Sequence, residues 1–302
     1  MTRLRFGLFA GVGAYVLWGL FPLYWPLLEP AAPVEILSHR MVWSLVFVLA
    51  VLGATTGFAW VRDLGARRAR LLFVAAVMVT TNWGVFIYAV NSGHVVEASL
   101  GYFINPLVTV ALAVVLLKES LRPAQRLAVG IAAVAVALLA IDYGHLPWIA
   151  LSLAFTFAAY GLLKKRADVD GTQSLAVETA FLALPALAYL AVIELAGSGT
   201  FTTEGAGHLA LLASAGVVTA IPLMLFGAAA IRIPLASLGL LQYIVPTLQF
   251  LIGVLIYDEA MPAPRLAGFA LVWVALIVLT FDAIRAARRE RTATPLPEPA
   301  LA

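Results

Sequence analysis

The chain has 302 residues, of which 63% are hydrophobic and 12% are charged, and its formal net charge is +3. So few charged side chains cannot cover the surface of a water-soluble domain of this size. The composition therefore excludes that class and predicts an all-α polytopic membrane protein. The absence of cysteine excludes disulfides, thiolate nucleophiles and sulfur-ligated metal sites.

Ten apolar stretches, separated by charged or turn-forming residues, predict ten transmembrane helices. In chain order they cover approximately residues 6–28, 35–57, 71–91, 95–117, 124–141, 146–163, 174–196, 208–230, 234–257 and 265–283. The first is long enough to span a bilayer, which predicts a permanent helix rather than a cleavable signal peptide. Residues 285–302 combine arginines with threonines and prolines, a composition typical of a disordered tail.

The distribution of basic residues predicts an orientation for these helices. With the N-terminus in the cytoplasm, every Lys and Arg except Arg40 and Arg265 falls in a cytoplasmic segment. Cytoplasmic loops are enriched in Lys and Arg, and a wrong number of crossings would mix the two sides. The charges therefore predict ten crossings, with both termini in the cytoplasm.

A sequence repeat relates the two halves of the chain. The tetrapeptide Ala-Ser-Leu-Gly occurs at Ala98–Gly101 and at Ala236–Gly239, on the fourth and ninth predicted helices. Each copy is followed by a proline and, at one shared spacing, by a glutamate (Pro106 and Glu119; Pro246 and Glu259). Five crossings separate the copies, and an odd number gives the halves opposite orientations. The repeat predicts two inverted five-helix repeats, residues 1–141 and 142–284, as found in secondary transporters.

Three segments carry a resemblance to a known family: Asn82–Leu107, Glu35–Arg40 and Gly216–Leu223. They are similar to the RarD type of EamA transporter, within the drug/metabolite transporter superfamily. The resemblance extends from Gly7 to about Ala283. It implies two inverted five-helix repeats, an inner-membrane location and export of small organic solutes: metabolites, amino acids or drugs such as amphenicols. No cofactor is implied.

Arg40 lies about five residues inside the second predicted helix, where a charged side chain is costly and therefore a functional candidate. A guanidinium at this depth could attract and orient a carboxylate or another anionic group of the solute. Alternatively, Arg40 forms a structural ion pair with Glu35 or Glu97. The sequence leaves both roles open.

Hydrogen-bonding and aromatic side chains recur at matching depths beside the two prolines of the repeat. A cavity lined by amides and aromatic rings would suit an uncharged or zwitterionic organic molecule. Alternatively, the amides hold helices together through hydrogen bonds. The predicted substrate-binding residues are Trp18, Arg40, Asn82, Trp83, Tyr102, Asn105, Tyr160, Gln242 and Tyr243.

Transport would also need a driving force and moving helices. A proton or a sodium ion is the candidate coupling ion, and His39, Glu97 and Glu178 are the candidate proton carriers. Proline removes a backbone hydrogen bond inside a helix and can act as a hinge. The candidate hinges are Pro106, Pro222 and Pro246.

The leading hypothesis is a secondary transporter embedded in the lipid bilayer, and two functions from other classes compete with it. An intramembrane enzyme would need a nucleophile, a metal site or an acid/base pair, and the four histidines are scattered over separate segments. A non-transporting membrane partner protein is the second alternative. The sequence contains no Walker A phosphate loop and predicts no metal or nucleic-acid partner. It leaves open whether the protein is a monomer or a homodimer.

Overall fold

The computed structural model describes residues 3–91, 95–143 and 147–256, with scattered positions between Leu266 and Arg285. All regular secondary structure in these residues is helical. Helices satisfy their backbone hydrogen bonds internally, which lets apolar segments cross a bilayer. Five helices are long and apolar enough to do so: Arg3–Leu23, Pro33–Ala54, Gly65–Ala89, Gly171–Leu195 and Gly205–Ala230. The protein is an all-helical membrane protein.

Ten α-helices follow one another along the three continuous stretches. They are α1 (Arg3–Gly19), α2 (Pro33–Ala54), α3 (Gly65–Asn91), α4 (Val95–Leu117), α5 (Pro123–Tyr143), α6 (Trp148–Ala167), α7 (Gly171–Leu195), α8 (Gly205–Ala230), α9 (Leu235–Leu241) and α10 (Ile244–Leu255). The second to eighth predicted spans coincide with α2 to α8, with ends that differ by at most six residues. The described positions from Leu266 onward, in the tenth predicted span, are also helical.

Two of the predicted spans differ from the structure. The first ends as an α-helix at Gly19 and continues as two 3-10 turns, Phe21–Leu23 and Trp25–Leu28, each with a proline near its start. Proline lacks the N–H that a continuous α-helix requires, which explains the change. The ninth span is divided into α9 and α10 by a tight turn at Gln242 and Tyr243, whose backbone N–H groups bond carbonyls three residues back instead of four.

The helices pack around a largely aromatic and aliphatic core. Helix α6 packs against α3 and α4, α2 packs against α7 and α8, and α1 packs against α8 and α10. The largest side chains fully buried in this core include Tyr15, Tyr160, Phe226 and Tyr243. Small residues allow the closest approaches, as expected of packing between membrane helices.

Two glutamates define the ends of the bundle. At one end, Glu35 near the start of α2 accepts hydrogen bonds from the backbone N–H (2.7 Å) and hydroxyl (3.1 Å) of Thr200. At the other end, Glu119 after α4 accepts hydrogen bonds from the backbone N–H groups of Leu235 (2.9 Å) and Ala236 (3.0 Å), at the start of α9. We call these the Glu35 end and the Glu119 end.

Candidate substrate cavity

A cavity of about 420 Å³ lies between α1, α2, α3, α4, α6 and α10. Its volume is typical of small-molecule sites, which range over about 300–1,000 Å³. The lining residues on α2 and α6 come from the first halves of those helices, and those on α1 and α3 come from the second halves. The cavity therefore lies in the half of the bundle nearer the Glu35 end.

Most of the side chains that the sequence nominates for substrate binding meet in this cavity. They belong to five different helical segments and are far apart in the chain. Their role in binding stays a prediction, but the side chains lie around one cavity, as that role requires. The nominated residues that line the cavity are Trp18, Arg40, Asn82, Trp83, Tyr102, Asn105 and Gln242.

Tyr160 and Tyr243, also nominated, lie outside the described lining of the cavity. Tyr160 is fully buried, stacks on Phe226 with 5.6 Å between ring centroids, and donates a hydrogen bond to Glu178 (3.0 Å). Tyr243 is fully buried at the break between α9 and α10, where its hydroxyl donates to the backbone carbonyl of Phe103 (3.4 Å). Both phenols have protein partners, and the binding role of these two residues stays a prediction.

Arg40 occupies a defined position in the cavity wall. Its guanidinium lies over the indole rings of Trp25 (4.6 Å to the centroid) and Trp83 (4.4 Å), and its Nε donates a hydrogen bond to Thr219 Oγ1 (2.8 Å). Cation–π contacts of this kind favour a guanidinium over an ammonium group. The carboxylate of Glu35, which the sequence offers as an ion-pair partner, binds Thr200 instead.

Three of the four amides in the cavity lining differ in how many hydrogen bonds they already make. Asn82 donates to the backbone carbonyl of Leu153 (2.8 Å) and to the hydroxyl of Thr156 (2.9 Å), so its amino group joins α3 to α6. Asn105 Oδ1 accepts from the hydroxyl of Thr109 (3.1 Å), which leaves its amino group for other partners. The side chain of Gln242 makes no hydrogen bond within the described residues. Asn82 therefore serves packing at least as much as binding.

Several lining residues are absent from the sequence-based set: Tyr15, Phe21, Trp25, Phe86, Phe157 and Gln249. Gln249 had a usable signal, since it is a polar residue in an apolar span, three positions after Pro246. The sequence does not indicate which aromatic residues line the cavity, because aromatic rings are equally expected in the core and at the membrane interface. Their contribution is an apolar, planar wall around the amides.

A buried ion pair lies beyond the aromatic wall. Lys164 and Glu178 are joined at 2.7 Å, with side chains 1% and 2% exposed. Lys164 also bonds Ser174, and Glu178 accepts from Tyr160. A small void lies between this pair and the cavity wall, lined by Glu178 and Arg40 among others.

The other two candidate proton carriers differ from Glu178 in their surroundings. His39 is 4% exposed and stacks on Phe201 with 4.5 Å between ring centroids. Neither of its ring nitrogens has a hydrogen-bond partner among the residues that the structure describes. The side chain of Glu97 lies outside the described residues. Proton coupling through any of the three stays a prediction.

The three candidate hinge prolines lie in different settings. Pro106 is inside α4 and Pro222 is inside α8, and both helices continue through them. Pro246 lies in the first turn of α10, three residues after Tyr243, and lines the cavity. A break in a membrane-spanning segment beside a cavity is a recurring feature of transporter sites.

Contacts at the Glu119 end close the bundle below the cavity. Lys165 lies 3.7 Å from Glu119 and donates to the backbone carbonyl of Ile233 (2.7 Å). Gln125 donates to the hydroxyl of Ser237 (3.2 Å). These bonds tie the start of α9 to the ends of α4 and α6 and to the start of α5, and none of these residues belongs to the described lining of the cavity.

A bundle of apolar helices around a solute-sized cavity of aromatic and amide side chains defines a membrane transporter. The EamA-like transporter family profile matches residues 5–141. Protein RarD of Streptomyces exfoliatus is 55% identical, over 98% of this chain and 98% of its own length. An uncharacterized transporter of Pseudomonas aeruginosa is 44% identical, over 99% of both chains. The chain belongs to the EamA-like transporter family, as the sequence motifs predict. Its similarity to RarD identifies it as a RarD-type member of that family.

One solved crystal structure is similar over almost the whole chain. It superposes with a TM-score of 0.69 and covers 93% of this chain and 99% of its own, at 19% sequence identity. At that identity the likeness concerns the fold alone. The fold and the family together make this protein a membrane transporter of the drug/metabolite superfamily and not an enzyme.

Proposed function

We propose that this protein is a secondary transporter that exports small organic solutes across the inner membrane by alternating access. The cavity of about 420 Å³ carries the proposal, because it brings separated polar and aromatic residues together and ends before the Glu119 end. In the proposed architecture, ten crossings form two inverted five-helix repeats that rock around this cavity. Basic residues near the Glu119 end, such as Arg122 and Lys165, support a cytoplasmic location for that end.

Flux into proteoliposomes tests the proposal directly. The purified protein is reconstituted and offered amino acids, aromatic metabolites and amphenicols, with and without a pH gradient. Saturable uptake of at least one solute is expected. Conversion of a lipid or solute without movement would instead support an intramembrane enzyme, and would overturn the proposal.

Gln242→Ala is expected to reduce the flux of a transported solute by about tenfold, the effect of losing one hydrogen bond to the solute. The amide lines the cavity and makes no hydrogen bond within the described residues, so its loss disturbs the packing little. Initial rates of uptake measure the effect. Gln173→Ala on α7, outside the described lining, is the matched control. Unchanged flux in Gln242→Ala together with loss of a protein complex would favour a non-transporting partner.

Glu119→Gln is expected to open the Glu119 end more often. The carboxylate binds the first two N–H groups of α9 and lies beside Lys165, and a hydrogen bond to a charged group is worth about 1.5–3 kcal/mol. The chain has no cysteine, so Leu238→Cys on α9, at a position that is 1% exposed, provides a single buried thiol. We expect an impermeant maleimide applied at the cytoplasmic face to label it about tenfold faster in the Glu119→Gln background.

The control for this experiment is Glu204→Gln, which removes an exposed carboxylate near the Glu35 end. It should leave the labelling rate of Leu238→Cys unchanged. Equal labelling rates with and without the Glu119→Gln substitution would show that the carboxylate is not part of the closure, and would count against alternating access through this end.

A further inference from the structure

The guanidinium of Arg40 is a cation held within the bundle without a carboxylate partner in the described part of the chain. Its described contacts are two indole rings and one threonine hydroxyl. Two described carboxylates on the helices of this region are engaged elsewhere: Glu35 binds Thr200 and Glu178 binds Lys164. Within the described residues these contacts supply no negative charge, and a buried charge without a counter-ion is unfavourable. The site is therefore suited to receive an anion.

The contacts of Arg40 determine from which direction an anion can approach. The central carbon of the guanidinium lies over the indole rings of Trp25 and Trp83, and Thr219 accepts the Nε–H. The two terminal amino groups remain, and their N–H bonds lie in the guanidinium plane. A carboxylate matches this edge with two parallel hydrogen bonds. Arg40 lines the cavity, so a solute inside it can reach this edge.

The rest of the cavity provides no counterpart for a cationic group. Its described polar lining, apart from Arg40, consists of four amides, two tyrosines and three tryptophans, with no aspartate or glutamate. The ammonium group of an amino acid would lose its water and gain only neutral partners, while lying in the field of Arg40. The cavity therefore disfavours zwitterions, although it accepts their carboxylates.

The apolar part of the lining indicates the shape of the solute. Trp18 contacts Phe157 with 5.6 Å between ring centroids, and Phe86 contacts Tyr102 at 6.1 Å, both edge to face. Rings in these arrangements present edges and faces that a planar ring can extend in the same manner. The amides of Asn105 and Gln242 lie among these rings and can bond a single polar substituent.

We propose that the cavity binds an organic monoanion with a planar, aromatic body and no ammonium group, whose carboxylate pairs with the edge of Arg40. This inference rests on the proposed transport function, since it names the class of solute that the transporter carries. Binding of the anion neutralises the cation within the bundle. The loaded protein then moves no net charge at this position, which lowers the cost of rocking the repeats around it.

Four probes of nearly equal size test the charge requirement. They are 3-phenylpropionate, phenylalanine, 3-phenylpropanamide and 2-phenylethylamine, which present an anion, a zwitterion, a neutral amide and a cation. Binding to the purified full-length protein is followed by tryptophan fluorescence and checked by calorimetry. We expect 3-phenylpropionate to bind at least about tenfold more tightly than the other three. Equal or tighter binding of phenylalanine would overturn the inference with the wild-type protein alone.

Two variants separate charge from geometry. Arg40→Gln should remove the preference for 3-phenylpropionate over 3-phenylpropanamide, and Arg40→Lys should keep only part of it, because an ammonium group lacks the planar edge. Arg68→Gln, which removes an exposed arginine of α3 far from the cavity, should leave the preference intact. Retention of the full preference in Arg40→Gln would overturn the assignment to Arg40.

Flux measurements distinguish failure of this inference from failure of the proposed function. Transport of phenylalanine or the amide, without preference for the anion, would overturn the inference and leave the transporter proposal standing. Tight binding of 3-phenylpropionate without saturable flux of any solute would support the anion site and contradict transport. Binding and flux of the anion together, both lost in Arg40→Gln, are the expected result.

Discussion

Lys164→Met is expected to lower the free energy of unfolding by about 3–5 kcal/mol. The substitution leaves the carboxylate of Glu178 at a position where its side chain is 2% exposed, with Tyr160 as its remaining described donor. A buried charge without its partner is far more costly than the intact pair. The midpoint of thermal unfolding in detergent should fall accordingly, since methionine matches the length of the lysine chain and little packing is lost.

The double substitution Lys164→Met, Glu178→Met is the control that isolates the charge. Replacing a buried ion pair by apolar side chains of similar volume is often neutral, so we expect the double variant to recover most of the loss. If the double variant is as unstable as Lys164→Met, packing rather than charge explains the defect. If Lys164→Met unfolds at the wild-type temperature, the pair contributes nothing and the prediction is wrong.

The same variants separate a structural role of Glu178 from a coupling role. A folded double variant that still transports solute, and still responds to a pH gradient, would exclude Glu178 as the proton carrier. A folded double variant that transports without any response to the gradient would support it. The void between Glu178 and Arg40 makes the second outcome physically reasonable, because it would place the carrier next to the cavity wall.

Much of the fold follows from the sequence because the bilayer imposes a simple rule. Apolar stretches of the required length must become helices, and α2 to α8 lie where hydropathy predicts them. The family follows from short motifs such as Asn82–Leu107. The convergence of Asn105 and Gln242 in one cavity agrees with the expectation drawn from the sequence repeat, since each amide precedes one of its two prolines.

The interruption of the ninth span could have been predicted from the spacing within the sequence repeat, although not from hydropathy. Gly101 and Pro106 are five positions apart in the first copy of the repeat, whereas Gly239 and Pro246 are seven apart in the second. Two additional residues in a continuous α-helix would rotate everything after them by about 200°. The second copy contains the turn at Gln242 and Tyr243 within this longer spacing, whereas α4 in the first copy stays continuous.

The placement of Tyr160 and Tyr243 could not be predicted in this way. Both lie on apolar helices at a suitable depth, and a single sequence does not show which face of a helix borders a cavity. Tyr160 is directed to the core by Glu178, a partner eighteen positions later on another helix. Such a pairing depends on how α6 packs against its neighbours, and tertiary packing is not encoded in local spacing.

Gly216→Ala is expected to destabilise the protein by about 3 kcal/mol, at the upper end of the cost of overpacking. A Cβ atom at this position of α8 would overlap the backbone and Cβ of Trp43 and would lie 2.6 Å from the backbone nitrogen of Ser44, on α2. Backbone atoms cannot move aside as a flexible side chain can. The two helices would have to separate, which would also break the hydrogen bond from the Ser44 hydroxyl to the carbonyl of Gly216 (2.9 Å).

Gly130→Ala is the matched control, because it makes the same change inside α5 where a Cβ atom would meet nothing within 4 Å. It should be neutral or slightly stabilising, since alanine is the better helix former by about 1 kcal/mol. Adding Trp43→Ala to Gly216→Ala should recover little, because the overlap with the backbone of α2 remains. Recovery by Trp43→Ala would instead show that the indole side chain, and not the close approach of the two backbones, makes glycine necessary at this position.

The close approach of α2 and α8 also affects the cavity, because Arg40 and Thr219 lie on these two helices and form a hydrogen bond between them. Gly216→Ala should therefore weaken binding of an anionic solute even in the fraction that folds.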